Sequence, residues 1–368
     1  MQKPKVYFAN MWVTEDENLQ KKLLRLMNAA GMFAIDFDKK FTAIKIHFGE
    51  LGNLAYLRPN YAKTVVDAVK GLGGKPFLTD ANTLYVGGRK NALDHLDTAY
   101  LNGFSPFSTG CHILIADGLK GTDEALLPVP GGELVERAKI GRAIADADVV
   151  ISLTHFKCHE LTGIGGALKN IGMGSGSRAG KMEMHSDGKP VVDQKICIGC
   201  GRCAEVCAHS AITLSESKAC INHNNCVGCG RCVATCPVDA IDPANDSAND
   251  DLSKKIAEYA AAVLHGKPHF HISFVVDVTP FCDCHGENDV PIVPDVGMFA
   301  SFDPVALDMA CARAVNHQTP NPDSLLGRSG KMSEDHFSSV SPGTDWRVGL
   351  NHAMKLGLGT TDYELVTI

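Results

Sequence analysis

Two short runs hold most of the residues with obvious chemistry in this 368-residue chain. CIGCGRCAEVC sets Cys197, Cys200, Cys203 and Cys207 at the spacing C-x2-C-x2-C-x3-C, and CVGCGRCVATCP repeats it with Cys226, Cys229, Cys232 and Cys236. Two residues between thiolates let a tight loop present three sulfurs to one iron–sulfur cube. Gly199, Gly201, Gly228 and Gly230 let backbone amides approach the sulfides. Zinc also suits C-x-x-C, but it takes two such pairs and has no use for a fourth cysteine offset by three. The doubled run, Pro237 after its last cysteine and the echo of SAI and DAI behind the two runs favour a pair of clusters that move electrons singly. Cys220 lies outside the pattern and reads as a small buried thiol, while Cys111 and Cys311 sit in apolar stretches and are assigned to the core.

The cysteine spacing resembles that of bacterial ferredoxins. In two-cluster proteins of that kind the fourth cysteine of each run ligates the other cube. The resemblance therefore implies Cys197, Cys200, Cys203 and Cys236 for one [4Fe-4S] cluster and Cys226, Cys229, Cys232 and Cys207 for the second. Ala208 follows the first run where relatives usually have proline, which leaves the chain there less rigid.

A second concentration of chemistry lies in THFKCHELTGIGGALKN, residues 154–170. On a strand-to-loop transition His155 and His159 would both reach the mouth of a crevice, with Cys158 adding a soft ligand. The glycines from 163 to 176 would let amides approach an anion that Lys169 neutralises, which suits a carboxylate- or phosphate-bearing molecule. An imidazole at His155 or His159 would exchange the proton of a coupled electron–proton step. Close helix–strand packing is the competing explanation of the glycines. In CDCH, Cys282 and Cys284 would point to opposite sides if extended and would share an ion only if the chain turns. With Asp283, His285 and the histidines of 155–159 they make a candidate metal site.

These residues need a scaffold. TAIKIHFG (42–49), KPFLTDA (75–81), CHILIAD (111–117) and DVVISLTHF (148–156) read as buried strands, separated by helical periods at 18–30, 60–72, 90–101 and 133–146. Beyond the cysteine runs a helix is expected at 251–264 and a strand at 269–278. After them comes MFASFDPVALDMACARAV, with Asp303 as N-cap and Pro304 at the first helical position. The expected fold is α/β, a mostly parallel sheet with flanking helices, interrupted by an inserted α+β ferredoxin-like domain with two [4Fe-4S] clusters. The domain reading is a discontinuous host at 1–187 and 245–368 and an insert at 188–244. Strand ends in such sheets carry the sites, and Lys45, His47, Glu50, Asp80, Asn82, Tyr85, Asp117, His155, Lys157, His159 and Asp277 all fall there.

LTDANTLYVGGRKNALDHLDTAYLNGF, ADVVISLTHFKCHELTGIGGALKNIGMGSGSRAGKMEMH and DVTPFCDCHGENDVPIVPDVGMFASFDPVALDMACARAV resemble domain-of-unknown-function family 362, in its form carrying an internal two-cluster ferredoxin. The resemblance spans nearly the whole chain but implies no particular reaction. His159, Gly163, the Gly165–Gly166 pair and Lys169 also resemble the histidine–glycine–lysine segment of lactate racemase-like enzymes, where the lysine anchors a nickel pincer nucleotide. The glycine pair is shifted by one. A shared ancestral pocket, rather than a shared cofactor, is what this similarity implies.

A net charge of −7 offers no basic surface for nucleic acid, and no run of about 18 apolar residues is free of charge, so neither nucleic acid nor membrane is an expected partner. The start lacks an apolar export segment, and a cytoplasmic location is expected. The leading expectation is an iron–sulfur oxidoreductase. It would exchange electrons with a donor or acceptor protein and pass them to an anionic small molecule or second cofactor in the host crevice. His47, His155, Lys157, His159 and Lys169 are the candidate catalytic residues. The alternative is a binding or maturation protein whose host docks a partner or a metal.

Overall fold

A computed structural model of the chain describes residues 3–368 apart from 86, 187–188, 208, 227, 229–230, 244–248 and 331–332. Cys229, Gly230 and the alanine at 208 thus lie outside the described residues. The centre is one eight-stranded sheet of β1 (Lys5–Asn10), β2 (Phe41–Lys45), β3 (Lys75–Asp80), β4 (Ile113–Ile115), β5 (Val149–His155), β6 (His269–Val275), β7 (Gly297–Ser301) and β8 (Glu364–Thr367). Its order is β8-β1-β7-β6-β5-β2-β3-β4. Only β7 runs against its neighbours, antiparallel to both β1 and β6, and every other pairing is parallel. The expected mostly parallel sheet with flanking helices is therefore present.

The strands alternate between two cores. Val149, Ile151 and Leu153 of β5 pack with Ile44, Leu78 and Ile272 against helices α1 (Leu19–Ala29) and α2 (Pro59–Gly71), while α3 (Ala92–Leu101) adds Ala99. Val150 faces the other side, where α4 (Ala167–Ser175), α6 (Asn249–Leu264) and α7 (Pro304–Asn316) bury their apolar faces. Between α4 and α6 in sequence lies α5 (Arg178–Ser186), and α8 (Arg347–Lys355) packs on α6. Asp303 caps α7 as expected, accepting from the Ala306 amide at 2.8 Å, with Pro304 at the first position.

The glycines of 163–176 are largely explained by packing. A Cβ on Gly172 would collide with the Ile256 carbonyl, so α4 and α6 cross at that point only because it has none. At Gly174 a Cβ would meet the Lys45 ammonium at 2.5 Å.

The helix expected over 133–146 is absent. Residues Arg137–Gly141 instead form a strand antiparallel to Glu124–Pro128, and only Arg142–Ala145 is helical. The cause lies far along the chain: the Glu258 carboxylate on α6 accepts from the amides of Glu133, Leu134 and Val135 at 2.6–3.0 Å. Those donors hold the segment extended, and Ala138 and Ile140 are then buried at a period of two. Strand β1 and the edge strand β8 beside it were not expected either.

The cysteine-rich stretch has its own small core, in which Cys197, Cys203, Cys232, Ile212, Ala219, Val233 and Ile241 pack together. A hairpin pairs Ile212–Ser215 with Lys218–Ile221, and Pro190–Val192 pairs with Ile241–Pro243, so the chain enters and leaves this stretch side by side. Cys220 is a correction: it sits on the outward face of the hairpin and is exposed, because its neighbour Ala219 takes the inward position. Cys111 and Cys311 are buried in the core.

Helix α4, which carries Lys169, is capped from outside its own segment. Asp308 on α7 accepts from the amides of Ala167 and Leu168 at 2.7 and 3.0 Å, and burial pushes its carboxyl up to about 7. Asp308→Ala is expected to lower unfolding free energy by about 1–2 kcal/mol, read as a lower urea midpoint with an unchanged slope.

Candidate functional site

The carboxyl ends of β2, β3, β5 and β6 open into one cavity of about 320 Å³. Lys45 ends β2 and His47 follows it, Asp80 closes β3, Thr154 and His155 end β5, and Cys282, Cys284 and His285 come from the loop after β6. All of His47, His155, Lys157, His159 and Lys169 line it, as do Cys282 and Cys284. Among the other strand-end residues noted in the sequence, Tyr85 joins the wall, whereas Glu50, Asn82, Asp117 and Asp277 do not. Asp117 instead holds the Asn82 amide and side chain at 2.9 Å.

Period-two geometry sorts the opening of the motif. Lys157–His159 is a short strand paired with Gly163–Gly165, so Lys157 and His159 face the cavity and Cys158 turns into the apolar core. Cys158 is therefore not brought to the crevice, and burial pushes its thiol well above the usual value.

The CDCH segment turns, with the His285 amide donating to the Cys282 carbonyl at 3.0 Å. What turns it is Asp283, whose side chain is fully buried. His155 Nδ1 lies 2.9 Å from Asp283 Oδ1, and Lys157 Nζ donates to Oδ2 at 2.8 Å. The other His155 nitrogen faces the Val276 carbonyl at 2.8 Å. Burial alone would raise the Asp283 carboxyl, but the His155 and Lys157 charges hold it well below the usual carboxylate range. With Asp283 pointing inward, the two flanking cysteines both reach the cavity.

There, ligand atoms of His159, Cys282 and Cys284 lie within 4.8 Å of one another, and Glu160, Cys284 and His285 form an adjoining trio. Lys169 Nζ lies 3.5 Å from Cys282 Sγ. The Cys284 thiol, and against the cost of burial the Lys169 and His159 contacts, hold Cys282 well below the usual thiol value, while Cys284 is driven up.

A second network supports the opposite wall. Lys45 Nζ pairs with Asp80 Oδ1 at 2.9 Å and donates to Asn170 Oδ1 at 2.9 Å. Asn170 in turn donates to the Lys45 and Leu153 carbonyls, tying α4 to the strand ends. Arg89 pairs with Glu50 at 2.9 Å and reaches His47 Nε2 at 3.0 Å, which ties His47 to the wall. Burial, then Arg89, pushes the His47 imidazole well below its usual value.

Reading strand ends alone missed Arg89, Asn170, Lys181 and His185. The last two stand four apart on α5, a spacing in KMEMH that places them on one helix face, and both line the cavity. Burial lowers Lys181 to about 8 and His185 to about 3. The lining holds five cations (Lys45, Arg89, Lys157, Lys169, Lys181) against the carboxylates of Asp80 and Glu160. Asp80, Glu50 and Asp283 pair with Lys45, Arg89 and Lys157. Lys169 meets the Cys282 sulfur, and Lys181 donates to the Gly176 carbonyl at 2.6 Å.

The cavity shares a wall with the cysteine-rich stretch. Leu84, 1% exposed, lines the cavity and packs in the same small core as Cys197, Cys203 and Cys232. On α5, Met182 enters that core while Lys181 and His185 face the cavity. Arg178, fully buried, donates to the Lys120 and Thr83 carbonyls at 3.0 and 3.1 Å and to that of Lys90, which fixes the loop carrying Leu84 and Tyr85. On the far side of this wall Cys197, Cys200, Cys203 and Cys236 together line one small pocket.

Asp283→Asn is expected to cost about 3–5 kcal/mol, because it leaves the Lys157 ammonium buried without its charge partner. A carboxyl depressed in the folded state contributes stability that is complete above its unfolded value of about 3.9 and lost as pH falls toward the folded one. Urea midpoints between about pH 5 and pH 2 should therefore fall more steeply for the wild type than for Asp283→Asn.

No described helix is long and apolar enough to cross a membrane. No curated protein matches the chain. Among solved structures it is similar to the lactate racemase apoprotein from Thermoanaerobacterium thermosaccharolyticum, at 9% identity and a TM-score of 0.39 over 75% of this chain and 51% of that one. It is also similar to a protein from Thermotoga maritima, at 15% identity and a TM-score of 0.36 over 79% of this chain and 54% of that one. The chain thus spans about half the length of each of these two structures. The family model that matches, over residues 42–313, is the domain of unknown function DUF362, and the chain belongs to that family.

Proposed function

We propose that the protein is an iron–sulfur oxidoreductase in which residues 188–244 form an inserted ferredoxin-like domain with two [4Fe-4S] clusters, and the host cavity holds the molecule that exchanges electrons with them. The observation that carries this reading is the pocket lined by Cys197, Cys200, Cys203 and Cys236, three thiols of one run and the last of the other. That is the crossed ligand set expected of a doubled run.

The donor chemistry around the sulfurs fits a cluster. The Gly199 and Ala219 amides donate to Cys197 Sγ at 3.5 Å, Ala240 to Cys236 at 3.2 Å, Ala211 to Cys207 at 3.3 Å and Gly228 to Cys226 at 3.4 Å. The pattern repeats between the runs, since Gly199 and Gly228 each serve the first cysteine and Ala211 and Ala240 each serve the fourth. Such amides offset the negative charge of thiolate-bound iron. Cys226, Cys232 and Cys207, with Cys229, would hold the second cube. When bound, these groups would supply or accept single electrons.

The host residues then have separate roles. Lys169 and Lys181 offer positive charge to an anionic molecule, and the shared wall at Leu84 keeps it close to the cysteine-rich core. His159, which burial and Lys169 keep below its usual value, is neutral near pH 7 and can hold or give a proton at the cavity wall. His155 and Lys157 are engaged with Asp283 and act by orienting the loop of Cys282 and Cys284. His47, fixed by Arg89 and the Gly49 amide, shapes the opposite side. A redox protein supplies or accepts the electrons.

Protein purified without oxygen should carry about eight iron and eight sulfide per chain with the broad visible absorption of cubes, and colourless, iron-free protein would end the proposal. His159→Ala and Lys169→Ala should leave that spectrum unchanged. With chemically reduced protein, either variant should slow reoxidation by an added anionic acceptor at least tenfold.

A further inference from the structure

Two thiols meet in the cavity beside a lysine and a histidine, and binding an anionic molecule makes no use of them. We propose that Cys282 and Cys284 are a redox-active thiol pair, cycling between a disulfide and a thiolate–thiol state, which gathers electrons arriving singly from the cysteine-rich stretch into a two-electron unit. The inference rests on the cluster reading above for its source of electrons.

Hydrogen-bond directions at His159 argue for a thiolate in preference to a metal ion. The amides of Leu161 and Thr162 both donate to His159 Nδ1, at 3.1 and 3.2 Å. A neutral imidazole that accepts at Nδ1 carries its proton on Nε2. With Nδ1 occupied and Nε2 a donor, neither nitrogen offers a lone pair to a metal, although a ring nitrogen lies within 4.8 Å of the Cys282 and Cys284 sulfurs. Lys169 Nζ, 3.5 Å from the Cys282 sulfur, is a second donor, and its positive charge would repel a cation. The Cys284 sulfur lies within 4.8 Å of the same atom. A buried sulfur beside a lysine ammonium and a protonated imidazole nitrogen makes a site for S⁻, with the resolving thiol alongside.

The step balances within the chain. The S–S bond accepts two electrons, one after the other, and breaks. Cys284 takes up one proton and Cys282 remains a thiolate beside Lys169. The reductant is the iron–sulfur class of one-electron donor, and reversal returns two electrons and one proton to a molecule in the cavity. Asp283, between the two cysteines and locked by His155 and Lys157, keeps both sulfurs on the cavity side in either state. Lys169 is a positioning residue in this scheme, because it stabilises the reduced form and so raises the potential of the pair.

The test uses the whole iron-loaded protein under nitrogen. After equilibration in glutathione buffers of graded potential, alkylation and peptide mass spectrometry should show a Cys282–Cys284 disulfide forming in a single two-electron transition. Lys169→Met should shift the equilibrium constant about tenfold toward the disulfide, about 30 mV, and Lys169→Arg should restore it. Photoreduction of the iron should cleave the disulfide in the wild type and fail to do so in Cys203→Ser. Iron is assayed on the same samples, so colourless protein marks failure of the cluster reading. Iron-replete protein whose two thiols stay free at every potential would overturn this one. So would cleavage that ignores the iron, or a further metal ion held stoichiometrically and lost in Cys282→Ser.

Discussion

The buried carboxylate of Asp283 holds the candidate site in shape. It is wholly removed from solvent and would be costly to bury as an anion without partners, so its position is set by where His155 and Lys157 can reach it. Those two residues come from the end of β5 and the strand that follows, while Asp283 comes from the loop after β6, and β5 and β6 are parallel neighbours. The same ion cluster that joins two strand ends thus forces the CDCH segment to turn. The backbone repeats the stitch, since the Glu50 amide donates to the Asp283 carbonyl at 2.9 Å and Asn53 to that of His285 at 3.1 Å.

Around that anchor the cavity is electrostatically unbalanced because of its lining rather than through surface charge. The protein as a whole is acidic, at −7, yet five cations line this one cavity. Three have dedicated carboxylates, and the two that do not, Lys169 and Lys181, come from consecutive helices, α4 and α5. Desolvation makes a cation without a counter-charge expensive, which is why an anionic occupant or a thiolate beside these amines is the natural complement.

Helix α5 joins the cavity to the cysteine-rich stretch. One face gives Lys181 and His185 to the cavity, and Met182 goes to the core that holds Cys197, Cys203 and Cys232. The chain then enters the cysteine-rich stretch at Pro190–Val192 and leaves it alongside, at Ile241–Pro243, before α6 returns Leu252 and Ile256 to the cavity wall. A covalent connection at both ends, plus Leu84 packed between, fixes the separation of thiols and cavity.

Local chemistry was legible without coordinates wherever its signal was local. Cysteine spacing, the buried strands at 42–45, 75–80 and 149–155, and the cap at Asp303 all follow from near-neighbour geometry, and the parallel sheet follows from the alternation of strands and helices. The convergence of His47, His155, Lys157, His159, Lys169, Cys282 and Cys284 was inferable because parallel strands end on one side. Interactions between residues a hundred or more positions apart were not. Glu258 captures three amides near residue 134 and converts an apparent helix into a strand, and Asp308 caps a helix that begins at Ala167. Asp283, paired with His155 and Lys157, decides that Cys282 and Cys284 share one wall. Spacing along the chain reports which side chains can be neighbours through the backbone; which buried charge finds which partner depends on the cost of leaving it unpaired, and that cost exists only once the sheet and helices have excluded water.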